Sequence, residues 1–112
     1  MAHARELSVV IRTKNEEQWL DACLFAVSHQ DVDVPEIVLV DNDSTDGTVA
    51  IAKKYGCRIL RIPDGEFNFS RALNTGIAAT SSPFIAILSG HCVPVDEQWL
   101  SLLLMHFDND EV

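Results

Sequence analysis

Positive charge is scarce in this sequence. Eight Lys and Arg stand against 17 Asp and Glu in 112 residues, a formal net charge of -9. A protein that grips nucleic acid through its phosphates needs a basic face, so that class is excluded. Cysteine is scarce as well. Cys23, Cys57 and Cys92 are odd in number, far apart and without Cys-x-x-Cys spacing. That excludes a disulfide frame or a zinc finger and reads as reduced cytosolic thiols. No apolar run approaches the ~18 residues of a membrane span, and the first residues do not resemble a signal peptide. There is no Gly-x-Gly-x-x-Gly, no Walker lysine loop and no Gly-x-Ser-x-Gly elbow, which argues against dinucleotide, P-loop and covalent hydrolase chemistry.

What the chain does have is apolar residues, 47% of the total, arranged in short runs. Leu7 to Ile11, Ile37 to Val40 and Phe84 to Leu88 are nearly continuous and rich in β-branched residues, as in strands covered on both faces. Arg58 to Ile62 is a more polar version. Between them lie helical patterns. Asn15 stands as an N-cap with Gln18 as its capping-box partner, followed by Trp19, Leu20, Cys23, Leu24 and Val27 on one face. Ser44, Thr45 and Asp46 offer a second helix start, with Gly56 as its stop. Ser70 opens a third helix that Gly76 should weaken. Asp96 caps a fourth, with Trp99, Leu100, Leu103, Leu104 and Phe107 as its stripe. Four strand-then-helix units in one domain, residues 1–112, predict a Rossmann-like, doubly wound parallel α/β sheet.

Such sheets bind ligands at the carboxyl ends of their strands, where strand order reverses. The informative loops are therefore Arg12 to Asn15, Asp41 to Ser44, Pro63 to Gly65, and Ser89 to Cys92. Thr13 and Asn15 sit where free N–H groups of the first helix would receive a phosphate, with Arg12 and Lys14 as nearby cations. Asp41 stands at a strand end, where a ligand edge would lie. Asp43 and Asp46 are more simply turn and cap residues. His91 has no second ligand at metal spacing beyond the adjacent Cys92 and is by itself a structural histidine.

Taken together, the loops resemble a known family. Ser8-Val9-Val10-Ile11-Arg12-Thr13-Lys14-Asn15-Glu16-Glu17 resembles the opening strand and loop of family 2 glycosyltransferases. Val40-Asp41-Asn42-Asp43-Ser44-Thr45-Asp46-Gly47-Thr48 is similar to their Val-Asp-Asp-Gly-Ser-Thr-Asp-Gly-Thr motif. Ala72-Leu73-Asn74-Thr75-Gly76-Ile77 is similar to their Ala-Arg-Asn-x-Gly segment, with Leu73 in place of Arg. Arg12 and Lys14 stand where Pro and an aromatic are usual. Arg-Thr-Lys-Asn-Glu together with Leu-Ser-Gly-His-Cys-x-Pro also resembles a recurring bacterial branch of sugar transferases.

The resemblance implies the N-terminal, nucleotide-sugar-binding half of a GT-A fold. The parent enzyme would transfer a sugar from a nucleotide-diphosphate donor to an acceptor hydroxyl in the cytoplasm or at the cytoplasmic membrane face. Family members are considerably longer, and their later half supplies acceptor contacts and the general base, so the catalytic base is expected beyond Val112. By position, donor contacts fall on Thr13, Asn15, Glu16, Asp41, Asp43 and Ser89, with Arg12 and Lys14 on the phosphate side. The family's Asp-x-Asp, which holds a divalent metal such as Mn2+ or Mg2+, is replaced by Ser89-Gly90-His91. Two expectations follow: side chains take over charge neutralisation, or His91 is itself a metal ligand, preferring zinc or manganese to magnesium.

Two other readings compete. One is a non-catalytic nucleotide- or sugar-binding module. The other is a receiver-like signalling domain, which lacks the fifth strand it needs. The fourth strand is expected at the sheet edge, uncharged and sticky, so a homodimer is expected through it or the last helix.

Overall fold

The computed structural model describes residues 7–32, 34, 36–63, 69–80 and 82–105. Four strands, β1 (Leu7–Thr13), β2 (Glu36–Asp41), β3 (Arg58–Arg61) and β4 (Phe84–Ser89), alternate with four helices. These are α1 (Glu17–Ser28), α2 (Thr48–Lys54), α3 (Phe69–Ala78) and α4 (Trp99–Met105). The strands are all parallel, in the order β3-β2-β1-β4. The doubly wound α/β sheet is therefore as expected, and the direction of winding reverses between β1 and β4.

Alternation along β1 divides the core. Val9 and Ile11 face one side, packed with Leu20, Leu24 and Val27 of α1, Ala52 of α2 and Leu100 of α4. Val10 faces the other, with Val38, Val40 and Ala72 of α3. Because both faces are covered, the central strands need no polar face, which is why they read as continuous apolar runs. Within α1, Leu20, Cys23, Leu24 and Val27 are buried as the helical spacing requires. Trp19, expected on that stripe, is 49% exposed instead. It lies one residue off the buried face set by Leu20, Cys23, Leu24 and Val27.

Two glycines are fixed by geometry. Gly56 ends α2 in the left-handed region, φ +73°, as its C-terminal position suggests. Gly76 corrects an expectation: it does not merely weaken α3 but lets α3 touch the sheet. A Cβ there would stand 2.4 Å from Val10 Cγ1 and 3.1 Å from Val40 Cγ2.

The pairing register places the functional ends of the strands in one row. Thr13 lies opposite Asp41, Asp41 opposite Arg61, and Arg12 opposite Ser89. Beside this row, β4 forms one edge, as expected, and its Ile87 is 44% exposed. An apolar groove of about 400 Å3 runs along that edge, lined by Phe84, Ile85, Ile87, Trp99 and Leu103 among others. Asp64, Gly65 and Phe107 lie outside the described residues, as does the side chain of Leu104.

Candidate functional site

Asp41 anchors the carboxyl edge of the sheet. Its carboxylate is fully buried. Thr13 Oγ1 donates to Oδ1 at 2.7 Å, Ser44 Oγ to Oδ1 at 2.6 Å and the Ser44 N–H to Oδ2 at 2.8 Å. Arg61 Nε stands 3.7 Å from Oδ2. Every element here follows from register: the β1 end supplies the hydroxyl and the β3 end the cation. A buried anion with this many donors is stable, and its lone pairs are directed at the protein. Asp43, by contrast, is exposed, has φ +51°, and accepts from Arg61 Nη2 at 3.2 Å. Arg61 also donates to the Ser44 carbonyl at 3.2 Å. Nothing in the sequence singles out Arg61 until the strands are aligned.

The N-terminus of α1 departs from expectation. Its N-cap is Glu16, not Asn15, and no side chain of its own segment caps it. The caps come from the loop after β2. Asn15 N–H donates to Ser44 Oγ at 2.8 Å, Glu16 N–H to Thr48 Oγ1 at 2.8 Å, and Glu17 N–H to Asp46 Oδ2 at 3.2 Å. In return Asn15 Oδ1 accepts from the Thr45 N–H, and Glu17 Oε1 from the Gly47 N–H, both at 2.8 Å. Asn15, with φ +50°, turns its backbone so that this exchange is possible, and Asn tolerates that region better than most residues. The N–H groups of Asn15, Glu16 and Glu17 are therefore already satisfied, and the carboxylate of Asp46 already complements the positive end of the helix. These three groups are closed to a phosphate.

Asp46 is correspondingly perturbed. Burial acts to raise its pKa, but donation from the Thr48 hydroxyl and N–H and the Glu17 N–H outweighs this and holds it below its ordinary value of 3.8. A carboxyl lowered in the fold adds stability that is present above the unfolded value and lost as pH falls through the folded one. Asp46→Asn is accordingly expected to flatten the loss of stability below pH 3.8. Urea midpoints of both proteins across that range check this, and parallel acid slopes would contradict it.

At the point of reversal the β1 and β4 loops are tied together. Gly90 N–H donates to the Arg12 carbonyl at 2.9 Å. A Cβ on Gly90 would lie 2.8 Å from Thr13 Cγ2 and 3.1 Å from Glu16 Cγ, so the approach requires glycine. On one side Arg12 Nη2 donates to Ser89 Oγ at 2.9 Å. On the other His91 Nδ1 meets Glu16 Oε2 at 2.7 Å. His91 is 58% exposed in its side chain and Glu16 18%. Lys14 is exposed at the same edge.

This donor set does not fit a hard divalent cation. Mg2+ and Mn2+ favour several oxygen ligands, whereas the residues here offer a hydroxyl engaged with Arg12 and a carboxylate engaged with an imidazole. Among the described residues no group of three His, Cys, Asp or Glu is arranged to hold a metal. Two of the thiols, Cys23 and Cys57, are held in their unreactive protonated form. Burial, aided by the charges of Cys92, Cys57 and Glu16, pushes Cys23 up to about 12, and burial pushes Cys57 up to about 11.

The structure thus gathers Arg12, Thr13, Asn15, Glu16, Asp41, Asp43, Ser89 and His91 at one edge, with Thr13 and Asp41 buried and the others at least partly open to solvent. It adds Ser44, Thr48 and Arg61, which sequence reasoning had not marked as site residues. A larger cavity of about 690 Å3 lies at the other end of the sheet, lined by Gln30, Val34, Glu36, Tyr55 and Arg58 among others. Volume alone favours that end. The topology favours the carboxyl edge, where loops from both sides of the reversal converge on a ligand.

Known proteins share this fold. The family model for glycosyl transferase family 2 matches residues 8–112. Glycosyltransferase AglE of Haloferax volcanii is 36% identical over 100 residues, covering 84% of this chain and 33% of the relative. The mannosyltransferase PcManGT from Pyrobaculum calidifontis, solved with GDP-Man and Mn2+, superimposes with a TM-score of 0.83 at 20% identity, over 98% of this chain and 34% of that one. Glucosyl-3-phosphoglycerate synthase from Mycobacterium tuberculosis, solved with Mn2+, UDP and glucosyl-3-phosphoglycerate, gives 0.77 at 23% identity, over 92% and 39%. The chain spans about a third of the length of these proteins, and the two structures show a common fold of the GT-A type.

Proposed function

The chain belongs to glycosyl transferase family 2, and on that premise we propose that residues 1–112 form the donor-binding half of a nucleotide-sugar transferase. The observation that supports this most is the row of strand ends at the reversal of the sheet, where Asn15, Asp43 and Arg61 border one side and Arg12, Lys14 and His91 the other. Asp43 offers an open carboxylate to a base or ribose donor. Arg12 and Lys14 supply positive charge for a diphosphate. Thr13, Asp41 and Ser44 hold the loops in register without contacting the ligand.

In the reaction, an acceptor hydroxyl attacks the anomeric carbon, the bond from that carbon to the diphosphate oxygen breaks, and a carboxylate base takes the hydroxyl proton. The leaving diphosphate keeps the bonding electron pair, so its departure depends on positive charge on the phosphate side. A non-catalytic sugar- or nucleotide-binding module is the second reading, favoured by the absence of an acidic pair in Ser89-Gly90-His91. Saturation-transfer titration with UDP-, GDP- and dTDP-sugars tests the donor site itself. At least one sugar nucleotide should bind, with an affinity near ~1 mM, and be displaced by its own diphosphate. Failure of all three would remove both readings.

The cysteines are free thiols, and no helix among the described residues is long and apolar enough to cross a membrane. The reading is of a protein working in the cytoplasm, at the membrane face where its acceptor requires it. A second copy is the proposed occupant of the β4 edge. Phe84–Ser89 carries no charge, and two identical edges satisfy each other's backbone groups about a two-fold axis. The apolar groove beside it adds buried area, while the net charge of -9 is screened at physiological salt. Sedimentation at tens of micromolar is expected to show a dimer; monomer alone would contradict it.

A further inference from the structure

We infer that the donor site of this chain receives its diphosphate without a resident divalent cation, the positive charge coming from Arg12 and Lys14, with the Glu16-held ring of His91 as a polar contact beside them. This rests on the donor-site reading above and specifies how that site neutralises its ligand. Three observations carry it.

First, the segment from Ser89 to Cys92, where β4 ends, has no carboxylate to give. Its Ser89 hydroxyl accepts from Arg12 at 2.9 Å, so the position that an acidic ligand would occupy is matched to a cation. Second, the nearby acid is committed. Glu16 Oε2 lies 2.7 Å from His91 Nδ1, which fixes the ring and leaves Nε2 as its outward atom. Among the described residues Glu16 is the partner of that ring, and His91 is 58% exposed. Third, the pairing is built in. Gly90, between Ser89 and His91, is held to the Arg12 carbonyl at 2.9 Å and has no room for a Cβ against Thr13 and Glu16. The loop cannot swing out to assemble a different ligand set without breaking that contact.

The charge balance points the same way. Arg12 and Lys14 bring two cations to the β1 end at this edge, in a chain that carries 17 acids against 8 bases in all. A divalent ion added to such an edge meets like charge and few oxygen ligands. An anionic diphosphate meets the opposite.

The test uses the whole 112-residue chain and two probes, nucleoside diphosphate and Mn2+ alone. Affinity for UDP or GDP, measured by saturation-transfer or calorimetric titration, is expected to change by less than about twofold on adding EDTA. His91→Ala is expected to weaken that binding by about tenfold. Ser89→Asp combined with His91→Asp should turn binding Mn2+-dependent, with a loss of about tenfold on chelation. Mn2+ alone should leave the amide resonances of residues 89–92 unbroadened in the wild-type chain. A wild-type loss of about tenfold on chelation, or selective Mn2+ broadening at Glu16 and His91, would overturn the inference. Absence of nucleotide binding with and without metal would instead overturn the donor-site reading, and the Mn2+ titration alone would still decide whether the loop holds an ion.

Discussion

Asp41→Ala is expected to be the most damaging single substitution at the site, and to act on the fold before it acts on any ligand. The carboxylate has no contact with solvent and receives the Thr13 hydroxyl and both the hydroxyl and N–H of Ser44, with Arg61 beside it. Alanine would leave buried donors on both loops with nothing to accept from. Breaking a buried, hydrogen-bonded charge typically costs about 3–5 kcal/mol. In a domain of this size that corresponds to a fall in Tm of more than about 10 °C, readable by circular dichroism. A Tm within about 3 °C of the wild type would contradict the role. Asp41→Asn is expected to be milder, since one oxygen remains and the hydroxyls can rotate, although the Ser44 N–H cannot. A loss of nucleotide binding in either variant would not show that Asp41 touches the ligand. Asp43→Asn is the cleaner probe of contact, because Asp43 is exposed.

Gly76→Ala is expected to destabilise by about 2 kcal/mol, against what helix propensity alone would give. Propensity favours alanine over glycine in a helix by about 1 kcal/mol. The added methyl, however, would sit 2.4 Å from Val10 Cγ1 and 3.1 Å from Val40 Cγ2. Both neighbours are buried in central strands, so relief requires α3 to lift away from the sheet. The sign of the change in urea midpoint decides between the two effects. A gain in stability would mean that α3 is free to move outward. Val10→Ala in the Gly76→Ala background should recover part of the loss, as expected of two groups competing for one space.

The strands were legible in the sequence because burial on both faces leaves an unbroken signal. Leu7 to Ile11 and Ile37 to Val40 have only one good interpretation, and the winding then follows from the alternation of elements. The edge position of β4 agreed with the resemblance. The start of α1 was not legible, because Asn15 and Gln18 offer a plausible local cap. The actual partners, Thr48 for the Glu16 N–H and Asp46 for the Glu17 N–H, lie about thirty residues away and leave no local pattern. Gly76 and Gly90 read as a helix weakener and a loop residue. Their real constraint is a neighbour from another element, Val10 in one case and Thr13 with Glu16 in the other. Arg61 could have been found from the register, since it lies opposite Asp41. The Glu16–His91 pair spans 75 positions, and only the reversal of the sheet between β1 and β4 brings it together.

The central claim is that the carboxyl edge of the sheet is a nucleotide-diphosphate site. Amide chemical-shift mapping of the 15N-labelled chain, titrated with UDP, GDP and dTDP to several times ~1 mM, tests it most directly. One of the three is expected to move the resonances of residues 12–16, 42–45 and 89–92 together, with those of residues 28–37 and 55–58 unchanged. Shifts confined to the latter group would place the ligand in the cavity at the amino ends of β2 and β3. That result, or no shift with any of the three nucleotides, would contradict the account.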